Sequence, residues 1–356
     1  MCLTSASFAQ PIAKIRYSIT DLGVMPGMVA SSAEGLNERG EVVGHCAPAN
    51  EYFNQQGFVW SNGAMRSIGL LDQGEYSLAH AINESGVVVG EGDEGFVQPQ
   101  AILASGNSLV NIEHHGGSNL RAIAITDSGV IVGNRSMSYL WAPIVWTQDP
   151  AHPDRFLSVL LPNHPSGQVD SRMGYAFGAN NGAQVVGYVQ STVFGQLGAL
   201  WANNPEHTLT LLQPAAPGWT SYAYGVNDSG QVVGDSLAGI YATIPTLWNN
   251  DADHSPTALP WLPGGNQGSA IAINRQGMVI GWSNTGAAPD VRRPVLWMNG
   301  RVIDLAQTLD ASGFGWSEIS VSGLNDRGQI VGTGLHNGQP RAFLLNPMKP
   351  TAIRFP

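Results

Sequence analysis

Eight residues have side chains suited to gripping or cleaving a sugar: His80, Arg121, Tyr175, Trp219, Tyr222, Tyr224, Trp316 and Glu318. A histidine can serve as a base near neutral pH. An arginine can neutralise the carboxylate of an acidic sugar. Tyrosine and tryptophan offer an apolar face together with a polar tip. These residues come from widely separated stretches, so only the fold can assemble them into a ligand site. Aromatic residues at strand starts also fill gaps between sheets, and that competing role has to be weighed against binding.

The elements that would position them are announced by a repeat. The pattern A-x-[GA]-apolar-N-x-x-G-x-[VI]-[VI]-G occurs seven times with small lapses. The copies are AEGLNERGEVVG (33–44), AHAINESGVVVG (79–90), AIAITDSGVIVG (122–133), AFGANNGAQVVG (176–187), AYGVNDSGQVVG (223–234), AIAINRQGMVIG (270–281) and VSGLNDRGQIVG (321–332). The Asn position recurs at intervals of 43 to 54 residues, about 48 on average, with Thr126 replacing Asn in the third copy.

Each copy reads as a hairpin. The Asn side chain can bond its own backbone and open a turn. The Gly three places on suits the left-handed position of a three-residue loop. The fourth copy has Gly182 one place early and Ala183 where the Gly belongs, which predicts a different turn there. The Val/Ile pair forms a second strand expected to end at the final Gly. A third run ends in Trp60, Trp146, Trp201, Trp248 or Trp297, and a fourth short apolar run follows. The regular placing of these Trp residues marks packing between repeats and not sugar stacking.

Four strands in about 48 residues, without helical periodicity, predict an all-β fold: a seven-bladed β-propeller of four-stranded blades. Residues 15–22, IRYSITDL, read as a fourth strand lent to the last blade. Pairing the N- and C-terminal strands closes the ring and removes open edges. TAIRF at 351–355 is the other candidate for that strand. Residues 10–356 are expected to form one propeller domain. Ser7 and Ala9 precede a plausible cut before Gln10, so residues 1–9 read as the remnant of a secretory signal and imply export. Removing Cys2 would leave Cys46 alone, without a disulfide framework.

The hairpin motif and the third-strand run, nearest to its family form in RAFLL (341–345), resemble the HAF-repeat family of extracellular bacterial repeat proteins. The resemblance covers roughly residues 15–345. It implies a repeat fold and export, and carries no catalytic residue over, because its motifs describe scaffold.

In a propeller the innermost strand lines the central channel. This puts His80, Arg121, Tyr175, Tyr222 and Tyr224 at the channel mouth, with Trp219, Trp316 and Glu318 on loops leading to it. The Asn-x-x-Gly turns fall on the opposite face. There the position after Asn is acidic in five copies, Glu38, Glu84, Asp127, Asp228 and Asp326, as suits exposed turns.

Other chemistry is weakly represented. No G-x-S-x-G, H-E-x-x-H, Walker loop or C-x-x-C occurs. No cofactor is expected. His114 and His115 lack a third ligand at recognisable spacing, and no D-x-D-x-D-G calcium loop is present, so no metal is expected either. Charged residues are only 12%, against about a quarter in ordinary domains, while Gly numbers 44 and Pro 22. A net charge of −10 argues against a nucleic-acid partner. No apolar run is long enough to span a membrane.

Three functional readings follow, one of which treats the chain as part of a larger envelope assembly with no small ligand at all. The main one is a secreted or envelope protein, expected as a monomer, that holds a carbohydrate or a partner protein at its loop face without catalysis. Its motive is that the repeats carry only scaffold motifs. The alternative is a propeller enzyme, such as a polysaccharide lyase or hydrolase, using His80 as base and Arg121 against a sugar carboxylate.

Overall fold

The computed structural model describes residues 15–49, 54–95, 98–113, 119–137, 140–163, 173–190, 195–216, 220–239, 242–286 and 291–348. Twenty-eight strands form seven four-stranded antiparallel sheets arranged in a ring, a seven-bladed β-propeller with two short 3-10 turns as its only helical elements among the described residues. Blades 1 to 6 occupy residues 30–67, 77–111, 120–160, 174–212, 220–258 and 268–304 in chain order. Blade 7 takes three strands from residues 316–347 and its fourth from Tyr17–Asp21, which pairs antiparallel with Gln339–Pro347. The other candidate closing segment, 351–355, lies outside the described residues, as do residues 1–9.

The repeat motif builds the inner half of every blade. In blade 1, Asn37 N–H donates to the Glu41 carbonyl and Gly40 N–H to the Asn37 carbonyl. Asn37 Oδ1 accepts the N–H groups of Arg39 and Glu41 at 3.1 and 3.0 Å, closing the loop from inside. Gly40 has φ +79°, where a Cβ would be strained. The fourth copy was expected to turn differently, and it does not. Ala183 itself takes the left-handed conformation, φ 55°, and donates to the Asn180 carbonyl at 2.9 Å. The inter-strand bonding on either side fixes the loop length, and the residue accepts the strain.

The second strand was also expected to stop at the final Gly. It runs through, as in Val42–Ala47 and Val88–Gly92. That Gly answers a bulge. Each innermost strand carries an extra residue directly opposite it, for example between Ala79 and Ala81. A Cβ on Gly44, Gly90, Gly133, Gly187, Gly234, Gly281 or Gly332 would lie 1.9 Å from the facing carbonyl oxygen, a position no side chain can occupy. The bulge frees one residue per blade from pairing: Glu34, His80, Ile123, Phe177, Tyr224, Ile271 or Ser322.

The core lies between blades. One apolar cluster joins Val89 and Ala101 of blade 2 to Leu120, Ala122, Ile131, Ile144 and Trp146 of blade 3, and equivalent clusters recur around the ring. Trp146, Trp201 and Trp248 are fully buried in them. Indole N–H groups reach carbonyls of the linker entering the same blade, Trp201 to Pro162 at 2.6 Å and Trp248 to Gln213 at 2.7 Å. Among the described residues no helix is long and apolar enough to cross a membrane.

Candidate functional site

Two rings of side chains surround the channel, one at each end. At the turn end, the motif Asn of one blade donates from Nδ2 to the motif carbonyl of the next: Asn37 to Asn83, Asn83 to Thr126, Asn180 to Asn227, Asn227 to Asn274, Asn274 to Asn325 and Asn325 to Asn37, at 2.9–3.1 Å. The residue after Asn forms a second circuit, because its backbone N–H is accepted by the next blade's side chain. Glu84 N–H goes to Asp127, Asp127 N–H to Asn181, Asn181 N–H to Asp228, and Asp326 N–H to Glu38. Arg275 offers no acceptor, and its guanidinium instead bonds Asp228 at 2.7 Å. The acidic residues are therefore links between blades. They line a cavity of about 580 Å³ at that end. Among the described residues no group of three or more His, Cys, Asp or Glu side chains could hold a metal ion; His114 and His115 lie outside them.

At the mouth end, strand register decides which side chains meet. The residue before the motif Ala pairs with the residue just after the final Gly: Ser32 with His45, Leu78 with Glu91, Arg121 with Asn134, Tyr175 with Tyr188, Tyr222 with Asp235, Ser269 with Trp282 and Ser320 with Thr333. Thr333, Glu91, Asn134, Tyr188 and Asp235 also face the first member of the following blade. Ser32 meets Thr333 at 2.8 Å, and Arg121 Nε lies 2.9 Å from Glu91 Oε2.

His80, Arg121 and Tyr175 are brought together around Glu91. His80 Nε2 is 4.0 Å from Glu91 Oε1. The Arg121 guanidinium lies over the Trp141 ring, 5.1 Å from its centroid, and Trp141 meets Tyr175 edge-on at 5.9 Å. Burial, then the charges of His45 and Arg121, push the His80 imidazole down to about 4, so it is neutral at pH 7. Burial raises the Glu91 carboxyl, against the pull of Arg121. Burial likewise raises the Tyr175 hydroxyl, with Arg121 pulling the other way.

Tyr222 and Tyr224 sit on blade 5, three blades on from Glu91, with their rings stacked at 6.3 Å, bordering Asp235. Asp235 is 6% exposed. Burial lifts its carboxyl to about 7, although Ser269, Tyr224 and the Ala270 N–H act to lower it. Trp316 is not part of this group: it stacks on His336 at 4.7 Å, and His336 contacts Asp21 of the closing strand at 2.8 Å. Glu318 is exposed, with φ 50°. Trp219 lies outside the described residues.

Sequence reasoning missed Glu91, Asp235, Trp141 and Tyr188. The signal for three of them was present, since the position after an unvarying Gly reads His, Glu, Asn, Tyr, Asp, Trp, Thr around the ring.

Together the fold and this mouth define a closed seven-bladed propeller with a polar and aromatic opening at one end. No family model matches the chain, and no curated protein matches its sequence. Solved structures do. The β-propeller domain of the Trilobed protease from Pyrococcus furiosus, described as having an open velcro topology, aligns with a TM-score of 0.58 at 12% identity, covering 92% of this chain and all of that one. An acylaminoacyl peptidase gives 0.57 at 12% identity, covering 91% of this chain and 52% of that one. A puromycin-hydrolyzing peptidase of Mycobacterium tuberculosis gives 0.56 at 12% identity, covering 96% and 56%. The chain thus spans about half the length of these two peptidases. At such identity the likeness shows the fold alone.

The main functional reading of the sequence, binding without catalysis, is corrected by these neighbours. It rested on the repeats carrying scaffold motifs only. Propellers similar to this one occur in peptidases, so a scaffold of this kind is no argument against catalysis, and the non-catalytic role is unsupported.

Proposed function

We propose that the protein is a propeller enzyme, exported from the cell, that cleaves an acidic polysaccharide by β-elimination at the Glu91 cluster. One observation carries this reading. Among the described residues six buried side-chain polar atoms have no hydrogen-bond partner, and four of them belong to mouth-ring residues: His45 Nδ1, Glu91 Oε2, Arg121 Nε and Asp235 Oδ1. Glu91 Oε2 and Arg121 Nε form an ion pair with each other at 2.9 Å, out of line for a hydrogen bond, so each keeps capacity for a further partner. A buried polar atom with no partner, such as Asp235 Oδ1, costs about 1–3 kcal/mol, a cost that the ring avoids elsewhere with Ser32 and Thr333. Unmet polar groups gathered at one opening suit a polar ligand.

The cluster has the parts that elimination from a uronate needs. Arg121 neutralises the sugar carboxylate, which acidifies the adjacent C–H. His80, held neutral, takes that proton, and Glu91 at 4.0 Å stabilises the imidazolium formed. The C–H electrons become the new double bond as the glycosidic C–O bond breaks, and the Tyr175 hydroxyl protonates the departing oxygen.

Incubation with polygalacturonate and other polyuronates tests this by the ultraviolet absorbance of an unsaturated product. His80→Ala and Arg121→Met should each lower turnover by about 10²–10⁴-fold. New reducing ends without unsaturation would instead mark a hydrolase, and no turnover of any uronate would end the proposal.

A further inference from the structure

From the Glu91 cluster an aromatic wall continues across three blades. Trp141, on the third strand of blade 3, meets Tyr175 at 5.9 Å between centroids. Tyr175 and Tyr188 of blade 4 are nearly parallel, 12° apart at 6.3 Å. Tyr188 then meets Tyr222 of blade 5 edge-on at 5.3 Å. All four rings are half-buried, so each keeps some surface open. Asp235, paired in register with Tyr222, lies at the far end.

Packing between blades does not demand these rings. At the same register positions blades 7 and 1 are joined by Ser32 and Thr333, and blades 6 and 7 carry Ser269 and Ser320. If aromatics were filler they would recur around the ring, as the buried Trp of the third strand does. The contiguous run of rings lies in the arc between two carboxyl groups, Glu91 and Asp235; beyond it Trp282 of blade 6 stands apart, with Arg292 over its ring. Asp235 has one buried oxygen without a hydrogen-bond partner, while the Glu91 oxygen is held by Arg121 in an ion pair at 2.9 Å.

We propose that the wall Trp141–Tyr175–Tyr188–Tyr222 is a run of subsites for successive rings of an acidic oligosaccharide, with Asp235 holding sugar hydroxyls at its far end. The inference rests on the lyase reading for the class of ligand and adds that the substrate is a chain of at least three rings. Sugar rings present apolar C–H faces to aromatic side chains while their hydroxyls seek polar partners. The spacing of the four rings, 5.3–6.3 Å, is comparable to the length of one pyranose unit.

The test is calorimetric titration of the full chain with mono-, di-, tri- and tetragalacturonate. Tyr188→Leu keeps apolar bulk without a ring face, and Tyr188→Phe keeps the ring. Thermal melting confirms that each variant is folded. In the native protein affinity should rise with every added ring up to the third. Tyr188→Leu should weaken the tri- and tetramer about tenfold and leave the monomer unchanged, while Tyr188→Phe restores binding. Asp235→Asn should weaken only the longer ligands. Affinity independent of length, or equal loss for monomer and tetramer, would overturn the proposal. Because binding is read without turnover, length-dependent affinity in a protein that makes no unsaturated product would sink the lyase reading and keep the subsites. Unsaturated product with length-independent affinity would do the reverse.

Discussion

Asn325 of the last blade donates from Nδ2 to the backbone carbonyl of Asn37 in the first, at 3.0 Å, across 288 positions of sequence. The same side chain donates to Gln329 and accepts from the N–H groups of Arg327 and Gln329, so one amide both shapes its own turn and closes the ring. It is 4% exposed. Asn325→Ala should therefore cost about 3 kcal/mol, since it leaves buried backbone groups unmet. Chemical denaturation measures this, and a loss below about 1 kcal/mol would show that the closing strand alone holds the ends.

The circuit of motif Asn side chains has one gap. Thr126 Oγ1 accepts the Val130 N–H at 3.0 Å, as Asn would, but a hydroxyl is too short to reach the next blade's carbonyl at Asn180. Thr126→Asn should supply the seventh link and stabilise the protein by about 1 kcal/mol. A raised melting temperature is the expected result.

Ala183 holds φ 55° in a turn where six other copies use Gly. A left-handed non-Gly residue costs about 1–2 kcal/mol, partly offset by the greater freedom of Gly in the unfolded chain. Ala183→Gly should give a net gain of about 0.5–1 kcal/mol in the same denaturation measurement. A loss would mean that the buried methyl packs better than the turn is strained.

Asp235 ties stability to pH. Its carboxyl is raised to about 7 from 3.8 in the folded protein, so the folded state keeps a proton that the unfolded chain releases earlier. That contribution is fully present below about pH 4 and is lost as pH rises through 7. Relative to Asp235→Asn, whose amide does not titrate, the native protein should lose up to about 4 kcal/mol between pH 4 and 8. Parallel curves for the two proteins would show that the carboxyl is ionised at neutral pH.

His80 should titrate near 4 when followed by NMR, down from 6.5. Arg121→Met removes one of the charges that lower it, so the midpoint should move upward. It should stop short of 6.5, because burial is the larger cause. An unchanged midpoint would separate Arg121 electrostatically from His80 and weaken its place in the cluster.

The sequence by itself determined the number of blades and the strand order within them, and narrowed the closing strand to two candidates, 15–22 and 351–355. Those depend on local matters: where a chain must turn, which positions alternate, and how often the unit returns. It also marked His80, Arg121 and Tyr175. Other features depended on contacts between strands or between blades. The final Gly proved to face a bulge, the acidic turn residues proved to be links, and Trp316 went to the ring closure. That Glu91 meets Arg121 emerged only when register set a second strand against the following blade's first. A propeller's chemistry is written one residue per blade, so distances in the chain carry no trace of it, and only the closed ring decides which of those residues touch.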